Sequence, residues 1–153
     1  MLIGWTYFGW DHFVRFSPKK IQEVLERGVS EVIVKEELKN KLLSGKQIRL
    51  YLGVDPTGAA LHLGHAVVLN KLREFQELGH EVILLIGDFT AKIGDPSGRD
   101  TTRVPLTDKQ IKENMRDYKR QASKILNFSK VKLQYNSSWL SKLKFAQILE
   151  LTS

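Results

Sequence analysis

Apolar and polar positions along this chain alternate with two periods, and each change of period marks an element. Ile48, Leu50, Leu52 and Val54 share one parity and leave Arg49, Tyr51 and Gly53 on the other. Period two predicts a strand whose Tyr51 projects opposite the aliphatic row, near its carboxyl end. From Leu63 to Leu78 the spacing changes to three and four. Val68, Leu69, Leu72 and Phe75 fall on one face and Gly79 follows as a stop, which predicts a crossover helix packed on a sheet. Val82 to Ile86 is an unbroken apolar run, the pattern of a parallel strand covered on both sides. Two parallel strands joined by a helix make a βαβ unit, and such units place ligands at the carboxyl ends of their strands. The turn Asp55-Pro56-Thr57-Gly58, the helix opening His62-Leu63-Gly64-His65 and the loop from Gly94 to Arg103 are therefore expected to converge on one crevice.

The flanks read as further helices and one more strand. Ser17 before Pro18 is an N-cap with proline at the first helical position, and Ile21, Val24 and Leu25 supply the apolar face of a helix ending at Gly28. Glu31 to Leu43, with Leu38 and Leu42 four apart and Gly45 beyond, predicts a second. Thr107 with Gln110 forms a capping box for a long polar helix, Asp108 to Leu126, with a seam of Ile111, Met115, Tyr118, Ala122 and Ile125. Val131, Leu133 and Tyr135 alternate in a short third strand. A last helix is expected from about Ser141, with Leu143, Ala146, Ile148 and Leu149 on it. It reaches Ser153 with no stop signal, as if the domain continued. The expected fold is α/β: an incomplete Rossmann-like parallel sheet with flanking helices.

Composition narrows the class without naming a function. The chain has 153 residues, 42% apolar and 27% charged, with no cysteine. Disulfides, thiolate metal sites and a cysteine nucleophile are excluded. Lys and Arg number 24 against 17 Asp and Glu, a formal charge of +7, which favours polyanionic partners such as nucleotides or RNA. No apolar run approaches the roughly 20 residues that span a bilayer, and a cytoplasmic location is expected. Residues 1–16 crowd Trp5, Tyr7, Phe8, Trp10, Phe13 and Phe16 together without the basic start, apolar centre and small-residue site of a signal peptide. They read as an apolar extension ahead of a domain that begins at Ser17.

The candidate chemistry sits in the two loops. A helix amino terminus offers unpaired backbone amides and partial positive charge to phosphate. His62 and His65, three apart, share a face there, and Gly64 between them removes a side chain that would hold a ligand off the backbone. This suits a nucleoside triphosphate. Either histidine alone reads as a local cap, and with no cysteine and no third matched ligand no metal site is assigned. Gly94, Pro96, Ser97 and Gly98 force a turn after a buried strand and put Asp95 at a strand exit, where a carboxylate can pair with an ammonium group. Arg99 and Arg103 follow at a spacing that reaches phosphate oxygens.

Together, Tyr51 to His65 (YLGVDPTGAALHLGH) and Gly94 to Arg103 (GDPSGRDTTR) resemble the N-terminal half of a bacterial tyrosyl-tRNA synthetase, a class I aminoacyl-tRNA synthetase. The histidine tetrad is similar to that class's HIGH signature, with Leu63 in the isoleucine position. The resemblance covers roughly Gly28 onward. It implies that Tyr51 hydrogen-bonds the phenol of a substrate tyrosine and Asp95 its ammonium, with Thr90 and Asn136 lining the same pocket. It implies that Asp55 holds the adenylate side, with Gly53 and Gly64 allowing close approach. Thr57, His62 and His65 would contact the phosphates of ATP, and Arg99 and Arg103 the departing pyrophosphate. Leu52 stands where some members carry a side chain that bonds the ribose.

The resemblance also implies magnesium arriving with ATP, tRNA(Tyr) as the acceptor, a homodimer for the full-length enzyme, and no tightly bound cofactor. The family's second half-sheet, its Lys-Met-Ser-Lys-Ser loop and the tyrosine and glutamine that complete the pocket have no counterpart here. Weak ATP binding and no efficient tRNA charging are therefore expected of this chain alone. Two rival readings stand beside it: another HxGH nucleotidyltransferase, and a synthetase-derived RNA-binding module without catalysis.

Overall fold

The computed structural model describes residues 17–58, 60–93 and 106–152. They divide into two units that part after Ile48. The aromatic stretch 1–16 and the loop carrying Asp95, Arg99 and Arg103 lie outside the described residues.

The first unit is a helix pair. Helix α1 spans Pro18–Glu26, with the Ser17 hydroxyl accepting from the Lys20 amide and Ile21, Val24 and Leu25 buried. Gly28 ends it at φ +65°, a conformation that costs glycine little. Helix α2 spans Lys35–Leu43, not Glu31–Leu43, and buries Leu42. Its missing first turn has a cause in the chain: Val32, Ile33 and Val34 are β-branched and lose rotamer freedom in a helix. The backbone instead turns at Val34, at φ 55°.

The second unit is a parallel sheet with its crossover helices. Strand β1 (Arg49–Val54) leads into α3 (Leu63–Glu77), β2 (Glu81–Ile86), a single 3-10 turn (Thr90–Lys92), α4 (Asp108–Ala122), β3 (Val131–Tyr135), and two short helices, α5 (Ser137–Leu140) and α6 (Phe145–Thr152). The strand order is β1-β2-β3, all parallel, with Leu52 opposite Leu84 and Leu84 opposite Leu133. Leu69 and Leu72 of α3 and Tyr118 and Ala122 of α4 pack with Leu126 against Val82, Leu84 and Ile86. Both helices thus cover one face, as expected when successive crossovers of one hand add strands in one direction.

That placement corrects the expectation for β2. Only Val82, Leu84 and Ile86 are buried, while Ile83 and Leu85 are half-buried on the other face, because no crossover in this unit returns across that side. Val68 is also corrected: it is 44% exposed, whereas Leu69, Leu72 and Phe75 are buried. Gln76 takes the remaining inward place on α3, exchanging bonds of 3.0 and 2.9 Å with the carbonyl and amide of Asn127. Helix α4 ends at Ala122, and Leu126 reaches the core from the turn beyond. The single last helix is two, and α6 buries none of its residues. Among the described residues no helix is long and apolar enough to cross a membrane.

Candidate functional site

The carboxyl ends of all three strands are tied by one hydrogen-bonded chain. Beyond β1, Asp55 Oδ1 accepts from the Thr90 hydroxyl at 2.7 Å. Asn136, buried just past β3, donates from Nδ2 to that hydroxyl oxygen at 3.0 Å and accepts at Oδ1 from the Phe89 amide at 2.9 Å. Backbone pairing continues the sheet outward: Gly87 N–H donates to Val54 O at 2.8 Å and Asn136 N–H to Ile86 O at 3.0 Å. Glycine is required at 87, since a Cβ there would stand 1.7 Å from Asp55 Oδ1 and 2.4 Å from Thr90 Oγ1. Next to it, Asp88 accepts from the amide and hydroxyl of Ser137 at 3.0 and 2.6 Å, fastening α5 to the exit of β2. Asp55, Thr90 and Asn136, three residues from distant parts of the sequence, are thus brought into direct contact, with Asp55 Oδ2 facing outward from the chain of bonds.

The histidine tetrad folds into a reciprocal cap on α3. His62 Nδ1 accepts from Gly64 N–H at 3.1 Å, and His65 Nδ1 accepts from His62 N–H at 3.3 Å. The rings stand 4.1 Å apart at 54°. Because both Nδ1 atoms accept, each neutral imidazole carries its proton on Nε2. The start of α3 thereby presents two ring N–H donors beside its remaining backbone amides, a combination suited to an anion. Gly64 has a more local task than the one expected of it: a Cβ there would lie 3.0 Å from the His62 ring, so the missing side chain makes room for the cap itself.

Tyr51 lies on the uncovered face of the sheet, 72% exposed. It borders a groove of about 310 Å³ with Ile83, Leu85, Gln134 and Trp139. Gly53 shares that face, and a Cβ there would meet nothing. At the far end of the groove half-buried Glu81 accepts from Arg49 Nε at 3.1 Å and pairs with Lys132. Those hydrogen bonds, Lys132's foremost, hold its carboxyl below the usual range. Thr57 is half-buried in the turn after β1, its amide donating to Asp55 O at 2.8 Å. Asp95, Arg99 and Arg103 belong to the undescribed loop. The sequence gave no sign of Gly87, Asp88, Asn114 or Gln121; only the glycine directly after β2 was a visible mark of a close approach.

Comparison with known proteins accounts for this arrangement. The family model described as tRNA synthetases class I (W and Y) matches residues 43–153. The tyrosine–tRNA ligase of Carboxydothermus hydrogenoformans is 50% identical over 139 residues, covering 88% of this chain and 34% of its own length. That of Thermotoga maritima is 49% identical, covering 90% of this chain and 34% of its own. This chain thus spans about a third of the curated relatives it matches. Among solved structures, a C-terminally truncated mitochondrial tyrosyl-tRNA synthetase of Coccidioides posadasii superposes with a TM-score of 0.66 at 28% identity, over 86% of this chain and 39% of that one. A tyrosyl-tRNA synthetase of Archaeoglobus fulgidus, solved with L-tyrosine, gives 0.70 at 24% identity over 89% and 39%, a likeness of fold. A parallel sheet of one-sided crossovers, a double-histidine cap after its first strand and these matches together make the chain a member of the class I tRNA synthetases of the tryptophan and tyrosine group.

Proposed function

We propose that residues 17–153 are the N-terminal part of a tyrosine–tRNA ligase catalytic domain, supplying the ATP site and part of the tyrosine pocket. One observation carries the reading: in a chain half identical to tyrosine–tRNA ligases, the strand ends are joined through Asp55, Thr90 and Asn136. Tyr51 hydrogen-bonds the substrate phenol, and Asp95 takes its ammonium. Thr90 and Asn136 shape the same pocket, and Asp55 holds the adenylate side with its outward oxygen. The ring N–H groups of His62 and His65, with Thr57, meet the triphosphate, while Gly53 and Gly64 let the nucleotide approach the backbone. Arg99 and Arg103 hold the departing pyrophosphate.

In the proposed reaction the tyrosine carboxylate oxygen attacks the α-phosphorus of ATP. The bond to the β-phosphate oxygen breaks, and pyrophosphate leaves with that electron pair. A ribose hydroxyl at the tRNA 3′ end then attacks the tyrosyl carbonyl and releases AMP. The attacking group belongs to the substrate, so the protein contributes alignment and hydrogen-bond donors placed where negative charge grows. Magnesium enters with ATP. Transfer to tRNA(Tyr), a homodimer and a cytoplasmic location belong to the full-length protein in this reading.

The test is titration of the chain with tyrosine, ATP and a non-hydrolysable tyrosyl-adenylate analogue, followed by thermal shift. The analogue is expected to stabilise most, with the shift lost in His62→Ala and Thr90→Ala. Equal stabilisation by analogues of unrelated amino acids would overturn the reading. Pyrophosphate exchange is expected to be far slower than in a full-length relative, since most of the relatives' length is not in this chain.

A further inference from the structure

The segment from Asp55 to His62 connects the strand-end network to the histidine cap, and it contains no regular structure. Two amide side chains of α4 grip its two ends. Asn114 Nδ2 donates to Pro56 O at 2.9 Å. Gln121 Oε1 accepts from Leu61 N–H at 3.0 Å. The second amide is itself oriented, since Gln121 Nε2 donates to Asp117 O one turn back at 3.2 Å. Asn114 and Gln121 are half-buried and two helical turns apart, hence on one face of α4. Pro56 is fully buried and Leu61 packs against the core cluster. Between them Gly58 and Ala60 are exposed, so the middle of the segment has little of its own to fix its path.

The gripped atoms are not arbitrary. The Pro56 carbonyl belongs to the peptide that enters Thr57, and the Leu61 amide lies one residue before the His62 cap. We propose that Asn114 and Gln121 are positioning residues for the nucleotide site, acting through the backbone of this segment to set Thr57 and the histidine cap at a fixed separation without touching the ligand. The proposal rests on the reading that Thr57, His62 and His65 receive the ATP triphosphate. Its physical content is entropic: a segment held at both ends has already lost the freedom that phosphate binding would otherwise take from it. Tyrosine, bound through Tyr51 and the strand-end network, does not draw on the grip.

Near-isosteric variants test this on the 153-residue chain. Asn114→Leu and Gln121→Met remove the polar partner and keep the volume, whereas Gln121→Glu keeps an acceptor for Leu61 N–H. Losing one neutral hydrogen bond should weaken ATP roughly three- to tenfold. Tyrosine affinity should stay within about twofold, and hydrogen exchange at the Leu61 amide should rise in Gln121→Met. Gln121→Glu should restore slow Leu61 exchange and most of the ATP affinity. A parallel fall in ATP and tyrosine affinity that tracks the loss of melting temperature would overturn the proposal. So would ATP binding that survives both polar deletions unchanged. Absence of ATP binding in the wild-type chain would instead overturn the functional reading, and the positioning role with it.

Discussion

The two faces of the sheet are built from the same three strands and do opposite things. On one, Val82, Leu84 and Ile86 are buried under α3 and α4; on the other, Tyr51, Ile83, Leu85 and Gln134 line an open groove. The difference comes from strand order, not composition. Leu84 and Leu85 are chemically alike and adjacent, yet one is wholly buried and the other is not, because both crossovers lie on the same side. Residues that hold the fold and residues free to meet a ligand are thus separated by parity alone.

The comparison breaks most visibly at that leucine pair. Leu84→Ala is expected to cost about 2–5 kcal/mol in urea unfolding and Leu85→Ala less than half as much, since loss scales with the apolar area and packing removed. Equal losses would mean the open face is covered in solution. Gly87→Ala acts where the faces end, and its Cβ must displace Asp55 or Thr90. A loss of about 1–3 kcal/mol is expected from the stranded polar groups, together with faster exchange at the Phe89 amide.

On the covered face, the Tyr118 hydroxyl is buried with no hydrogen-bond partner among the described residues, and burial pushes its phenol above the usual value of 10.0. Tyr118→Phe should be neutral or stabilising by up to about 1 kcal/mol. Wild-type stability should fall as pH rises past the phenol's ordinary range, where the unfolded chain ionises first, and the variant should lack that component. The smallest effect is on the open face. The lowered carboxyl of Glu81 adds stability that is present above about pH 4.5 and is lost as pH falls through its folded value. Glu81→Gln should flatten that acid limb, and added salt should shrink the difference.

What sequence alone revealed follows the range of each interaction. Local signals were legible: the Thr107–Gln110 capping box, the proline after Ser17, the stop at Gly79 and the third strand, Val131–Tyr135. So was the βαβ frame that groups Asp55 and Thr90 at strand exits. The histidine cap was half legible, because a capping box is read from Ser or Thr followed by Glu or Gln, and here two imidazoles perform the exchange. Long-range contacts were not legible. Asn114 meets Pro56 across 58 residues and Gln121 meets Leu61 across 60, and no periodicity marks either amide. The covering of β2 was misjudged because an apolar run reports what a strand can bury, whereas the topology decides how many layers arrive.

Parity also makes β1 intolerant of changes in length. Deleting one residue between Arg49 and Val54 while keeping the pairing with β2 would rotate every later side chain to the opposite side. Tyr51 would be driven under α3, and a leucine would be left facing the groove. Substitution can tune what this strand shows to a ligand, but an insertion or deletion would exchange interior for exterior in a single step.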